Sequence, residues 1–353
     1  MRPCRFRQGM MRGAGVVTLV MKVVNKAGMQ LKRYQQQRTG YTIRHTEDYV
    51  KPAPFQLRDW MPPAGYAMDE VRLPGCRAFW LERTGAAGEG DADAAGSAAA
   101  AGSAGSSDVA SGSSPWAIYQ LHGGGYIDDF NRTYCRTAVH YSKLAAGAGV
   151  LSLDYRTAPK NVHPAALVDA LDGYDWLLGG GYAPGHIIVC GDSSGAGLAI
   201  SLCMKLRELG RPQPAALVLS SPWTDLPGEG ETHSTKLGED ICFGCYDPSN
   251  APDYSSTLAY GRGCDLHDPY LSPSYGTFED LPPMLIQTGE NETLLSDSVT
   301  VAEKTNKAGG DARLIVYPQM FHTFYVMAPW LAQSRLAWEQ VGFFMREVMR
   351  RRG

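Results

Sequence analysis

Between Gly149 and Trp223 the sequence keeps changing its period: GVLSLDYR, HPAALVDALDGYDWLL, HIIVCG, GLAISLCMKLRELG and AALVLSSPW follow one another. Short runs with apolar residues at successive positions suit strands covered on both faces, and the longer stretches between them carry apolar residues at helical spacing. A strand–helix–strand succession of this kind is satisfied by parallel strands with helices packed on both sides. The rhythm therefore predicts an α/β fold with a mostly parallel central sheet. MLIQTG (Met284 to Gly289) and RLIVYP (Arg313 to Pro318) extend the sheet, SVTVAEKTNKAG is predicted helical between them, and LAQSRLAWEQVGFFMREVMRR closes the fold as a helix. Upstream, CRAFWLE (Cys76 to Glu82) and WAIYQLH (Trp116 to His122) read as strands. The segment 84–115 between them is almost wholly Gly, Ala, Ser and Asp, cannot bury enough apolar area to offset its ordering entropy, and is expected to be a disordered, lengthened hairpin tip.

The chemistry is written where strands end. After HIIVC comes GDSSGAG, so Gly191-Asp192-Ser193-Ser194-Gly195 has the G-x-S-x-G form and opens straight into a helix. A sharp strand-to-helix turn forces Ser193 into a strained backbone conformation, and the flanking glycines leave room for neighbouring strand and helix. A serine hydroxyl needs a base, and the base needs a carboxylate. His322, in YPQMFHTFYV just past the strand RLIVYP, is the candidate base; GENETLLSD, after the preceding strand, offers Glu290, Glu292 and Asp297. Serine, acid, histidine is the chain order of an α/β-hydrolase. In that fold the oxyanion of the tetrahedral intermediate is held by the N–H after the nucleophile and by N–H groups of a Gly-rich loop, which gives His122-Gly123-Gly124-Gly125 its purpose. His122 is expected to fix that loop by a hydrogen bond rather than move protons, and Asp192 to brace it.

These motifs, HGGGY, DYRTAP (Asp154 to Pro159), HPAALVDALDGYDWL, GDSSGAG, SPWTDL, DPYLSP and a terminal FH, resemble those of the hormone-sensitive-lipase-like α/β-hydrolases over about residues 116 to 345. That family includes bacterial carboxylesterases and arylacetamide deacetylases. The resemblance implies Ser193, Glu292 and His322 as the triad, and Gly124, Gly125 and Ser194 as the oxyanion hole. It also implies a cap built from an N-terminal segment (1–50) and an insertion (224–270), with the hydrolase domain running over 51–353. Two positions depart from the common pattern: Glu292 stands where Asp is usual, and GDSSG replaces GDSAG. The second is expected to be harmless, because only the N–H of Ser194 is needed. The implied substrates are uncharged esters of short to medium acyl chains, small molecules hydrolysed without a cofactor or metal. The same acyl chemistry serves amides and formamides. Hormone receptors of plants resemble the family but lack the histidine, so retention of Ser193 and His322 points to an enzyme.

Composition bounds the rest. The chain has 353 residues, 44% hydrophobic and 20% charged, enough for one large core. A net charge of −3 gives no polyanion signature, so nucleic acid is not an expected partner. The eight cysteines are scattered in a chain too long to need a disulfide framework, and free thiols and a cytoplasmic setting are expected. Cys242-x2-Cys245 with Cys264-x2-His267 has zinc-ribbon-like spacing, but it falls in the cap insertion and free thiols are the expectation there too. The first 46 residues hold ten basic residues and no acidic one, the composition of a segment that contacts a membrane or lipid surface, of an organellar presequence, or of a helical cap. Oligomeric state leaves no mark in the sequence.

Overall fold

The computed structural model describes residues 55–84, 114–243 and 259–352. The N-terminal cap segment 1–50 lies outside the described residues, as do most of the 84–115 segment and residues 244–258 of the expected insertion. Eight strands form one sheet in the order β1-β2-β4-β3-β5-β6-β7-β8. They are β1 (Tyr66–Arg72), β2 (Arg77–Arg83), β3 (Ala117–Leu121), β4 (Gly149–Asp154), β5 (Ile187–Asp192), β6 (Ala216–Ser220), β7 (Met284–Gly289) and β8 (Ala312–Tyr317). From β4 to β8 across the sheet every neighbouring pair is parallel, while β1–β2 and β2–β4 are antiparallel. The helices used below are α1 (Arg132–Leu144), α2 (Ala165–Gly179), α3 (Ser194–Glu208), α4 (Glu231–Thr235), α5 (Leu295–Lys307), α6 (Phe324–Met327) and α7 (Ala332–Arg352).

Period-two alternation splits the core into two layers. Tyr119, Leu121, Leu151, Leu153, Val189, Leu217 and Ile286 face one side of the sheet, where they meet residues of α2, α3 and α5. Ile118, Val150, Ile188, Cys190, Val218 and Leu285 face the other, against α1 and α7. Each fully buried Leu, Ile or Val contributes about 1.5–3 kcal/mol, and burial on both faces explains why these strands read as continuous apolar runs. Among the described residues no helix is long and apolar enough to cross a membrane.

One expectation is corrected. β2 and β3 do not form a hairpin: β4 lies between them, antiparallel to β2 and parallel to β3. The 84–115 segment thus joins two strands that never pair. Leu81 pairs with Val150 and Ala117 with Gly149, so the segment leaves and re-enters the sheet at the amino ends of the parallel strands. The true hairpin is β1–β2, with Leu73 N–H donating to the Cys76 carbonyl across its turn (3.0 Å).

Candidate active site

Ser193 sits between β5 and α3 with φ 54° and ψ −123°, a region that L-residues avoid and that costs on the order of 1–3 kcal/mol. The turn is held by its neighbours. Ser193 N–H donates to the Ser220 carbonyl at the end of β6 (2.8 Å), and the Ser193 carbonyl accepts from Trp223 N–H (3.0 Å) and from two N–H groups in the first turn of α3. A Cβ at Gly195 would lie 2.2 Å from the Leu121 carbonyl oxygen, so only glycine lets α3 press this closely on the end of β3.

The glycine loop follows β3. Gly124 and Gly125 have φ of +118° and +62°, and Tyr126 continues in the left-handed region at +61°. Gly123 packs against the Asp192 carboxylate, which also accepts from Tyr134 O–H at 3.3 Å. Asp192 is buried, and burial pushes its carboxyl up from 3.8 to about 6, against the lowering effects of His322 and of the Tyr134 and Gly123 donors. His122 is wholly buried, stacks on Tyr155 at 4.1 Å, and donates from Nδ1 to the Gly123 carbonyl (2.7 Å). Burial lowers its pKa, which keeps the ring neutral and suits a loop-fixing role. Ser194 makes a contact besides the N–H expected of it. Its hydroxyl oxygen accepts from Tyr126 N–H at 3.3 Å, tying the glycine loop to the start of α3 through a side chain that the usual alanine lacks.

The three acidic candidates separate cleanly. Glu290 turns to the loop after β8, accepting from Gln319 N–H at 2.9 Å. Asp297, in the first turn of α5, accepts from Thr224 N–H (2.7 Å), Asp225 N–H (2.9 Å) and His233 Nε2 (2.6 Å). Glu292 alone of the three meets His322: its Oε2 lies 2.7 Å from Nδ1, with both side chains buried. Its other oxygen, Oε1, accepts from Ser221 Oγ at 2.9 Å and from Thr288 Oγ1 and Gly289 N–H. Phe243 lays its ring against His322, centroids 4.6 Å apart. Asp240 fixes the Phe243 segment, accepting from Cys242 and Phe243 N–H on one oxygen and from Thr293 N–H and Oγ1–H on the other. Ser193, Glu292, His322 and the glycine loop all follow strand carboxyl ends, at one edge of the sheet.

The family with the α/β hydrolase fold matches this chain over residues 118–326. The chain belongs to the hormone-sensitive-lipase-like α/β-hydrolases. Similar proteins include an acetyl-hydrolase of Streptomyces hygroscopicus, 38% identical over 229 residues, 65% of this chain and 75% of that protein. The esterase LipU of Mycobacterium tuberculosis is 34% identical over 243 residues, 66% and 78% of the two chains. A solved esterase from the bacterial hormone-sensitive lipase (HSL) family superposes with a TM-score of 0.67 at 32% identity, covering 82% of this chain and 87% of that one.

Two features of this hydrolase were not assigned from its sequence. Ser221, one residue past β6, and Asp240 both contact the acid's neighbourhood, yet SPWTDL was legible only as a motif without a role. Asp225, His233 and Asp297 bring ligand atoms within 4.8 Å of one another, so by donor type they could hold a divalent ion. Their atoms are already engaged: Asp225 accepts from Gly230 N–H (2.7 Å) and Tyr275 O–H (2.8 Å), and His233 pairs with Asp297. Burial works against the charged ring of His233, but Asp297, with Asp225 and Asp240, outweighs it and raises the pKa; burial raises the Asp297 carboxyl too, so one buried proton is shared along their hydrogen bond. Of the zinc-like set, Cys245 lies outside the described residues, Cys264 is a free thiol, and His267 turns its two nitrogens to Glu229 (3.1 Å) and Asp265 (3.4 Å).

Proposed function

We propose that this hydrolase cleaves uncharged carboxylic esters of short to medium acyl chains by a serine mechanism. Ser193 Oγ attacks the ester carbonyl while His322 Nε2 takes its proton. Glu292 holds the Nδ1–H tautomer and stabilises the imidazolium that forms, as the carboxylate of a Ser-His-acid triad does. Backbone N–H groups of Gly124, Gly125 and Ser194 receive the developing oxyanion. The imidazolium then protonates the leaving alkoxide, an acyl-Ser193 ester remains, and a water deprotonated by His322 releases the acid. The observation that carries this reading is the buried 2.7 Å bond between His322 and Glu292 at the sheet edge where Ser193 is held at positive φ. Acetyl hydrolysis in the name of the Streptomyces relative supports the short end of the acyl range.

A fluorophosphonate probe should label the wild-type chain once, at Ser193, and leave Ser193→Ala unlabelled. Turnover of p-nitrophenyl esters should be greatest for short and medium acyl chains and should exceed that of matched anilides. Ester hydrolysis by Ser193→Ala at near wild-type rate would remove the serine from the mechanism.

A further inference from the structure

The end of β6 and the loop after it touch Ser193, Glu292 and the residue after His322. Ser220 accepts the Ser193 N–H (2.8 Å), and Trp223 N–H donates to the Ser193 carbonyl (3.0 Å). Between them Ser221 is buried, with its own N–H bonded to the Gln287 carbonyl of β7 (2.8 Å) and a backbone at φ 46°. A serine in the left-handed region costs backbone energy, so its surroundings must hold it there. They do so through the N–H bond to Gln287 and through the hydroxyl. Ser221 Oγ–H donates to Glu292 Oε1 at 2.9 Å, and Ser221 Oγ accepts from Thr323 N–H at 3.1 Å. Glu292 Oε2 in turn holds His322 Nδ1, and His322 is joined to Thr323 by the chain. The result is a closed ring: Ser221, Glu292, His322, Thr323, Ser221.

We propose that Ser221 is a positioning residue for the hydrolysis, its hydroxyl fixing the carboxylate and the histidine loop against each other so that the imidazole is aimed before substrate arrives. The inference rests on the serine mechanism proposed above. The hydroxyl suits the task because it donates and accepts at once. A buried carboxylate needs donors, and a backbone N–H beside the histidine needs an acceptor. A hydrogen bond that orients a catalytic group acts on the rate more than on substrate affinity, since the misaimed base is felt when the proton moves.

Two substitutions test this, because they differ in backbone and agree in lacking the hydroxyl. Alanine is strained at φ 46°, whereas glycine is comfortable there, so Ser221→Gly removes the oxygen while relieving the backbone. Both variants should lose about tenfold in kcat, the scale of one buried hydrogen bond, with KM little changed. The rate of fluorophosphonate labelling should fall by the same factor. The low-field proton resonance of the His322–Glu292 hydrogen bond in the wild-type chain should shift or vanish in Ser221→Gly, while its melting temperature stays near wild type. A Ser221→Gly chain with wild-type kcat and labelling rate overturns the inference. So does one that fails to fold, which would make the hydroxyl a support of the fold rather than of the site, or one that loses activity with the proton resonance unmoved. A wild-type chain that does not label at all would instead overturn the serine mechanism itself.

Discussion

Glu292 is one methylene longer than the aspartate usual at its position, and the extra reach ends in a carboxylate with no idle oxygen. One oxygen holds His322 and the other gathers Ser221, Thr288 and Gly289. Asp297, equally buried, serves a different histidine. The two can be told apart by kinetics. Glu292→Gln should lose kcat by up to about 10⁴-fold, the cost of neutralising a triad carboxylate, with the fold intact. Asp297→Asn should keep most of its kcat and lose melting temperature instead, because Asp297 accepts from His233, Thr224 N–H and Asp225 N–H, and an amide cannot accept from all three on the same terms. A crippled Asp297→Asn beside a near-normal Glu292→Gln would exchange the two assignments. The residues alone left Glu290, Glu292 and Asp297 open, since all three follow β7 within eight residues. What separates them is where each side chain turns, which spacing does not encode. Ser194 teaches the same lesson: the motif predicts a use for its N–H and none for its hydroxyl, which accepts from Tyr126 N–H.

At the scale of elements, the pattern was readable where both faces of a strand or one stripe of a helix are apolar. β3 to β8 and α2, α3, α5 and α7 stand where their runs predicted. β1 was missed because its sequence, YAMDEVR, buries only Met68 and shows no alternation at the sheet's edge. α1 was missed because its buried stripe includes Tyr134, Thr137, Tyr141 and Ser142, residues whose hydroxyls mask a helical period; Asn131, accepting from Thr133 N–H at 2.9 Å, was the available start signal. The supposed hairpin failed for a topological reason, since a third strand from later in the chain pairs between the two. That placement sharpens one expectation. Replacing residues 86–113 by a short Gly-Ser turn still long enough to pass over β4 should leave kcat and melting temperature nearly unchanged, because loop-closure entropy varies slowly with length and both anchors lie at the sheet edge opposite Ser193. Loss of activity on shortening, measured with the same ester panel, would show that the segment reaches the site.

For the whole molecule, the site is held at some expense to the fold. Asp192 is ionised only against its burial: its carboxyl is raised from 3.8 to about 6, so the folded chain binds that proton more tightly than the unfolded chain does. Its contribution to stability is therefore full below about pH 4 and is lost as pH rises through about 6. Asp192→Asn should raise the melting temperature by a few degrees near pH 8 and change it little near pH 4, with a loss of activity because the charge felt at His322 is gone. Equal shifts at both pH values would show that packing, not ionisation, sets the effect. The sheet also divides the molecule's traffic. The candidate catalytic groups crowd the carboxyl ends of the parallel strands, while Arg83 and Trp116, the strand-side neighbours of segment 84–115, lie at the amino ends, where the Trp116 ring lies 4.7 Å from that of His186. A guest domain spliced between those two anchors, or a linker to a bead or electrode attached there, would sit at the sheet edge opposite Ser193.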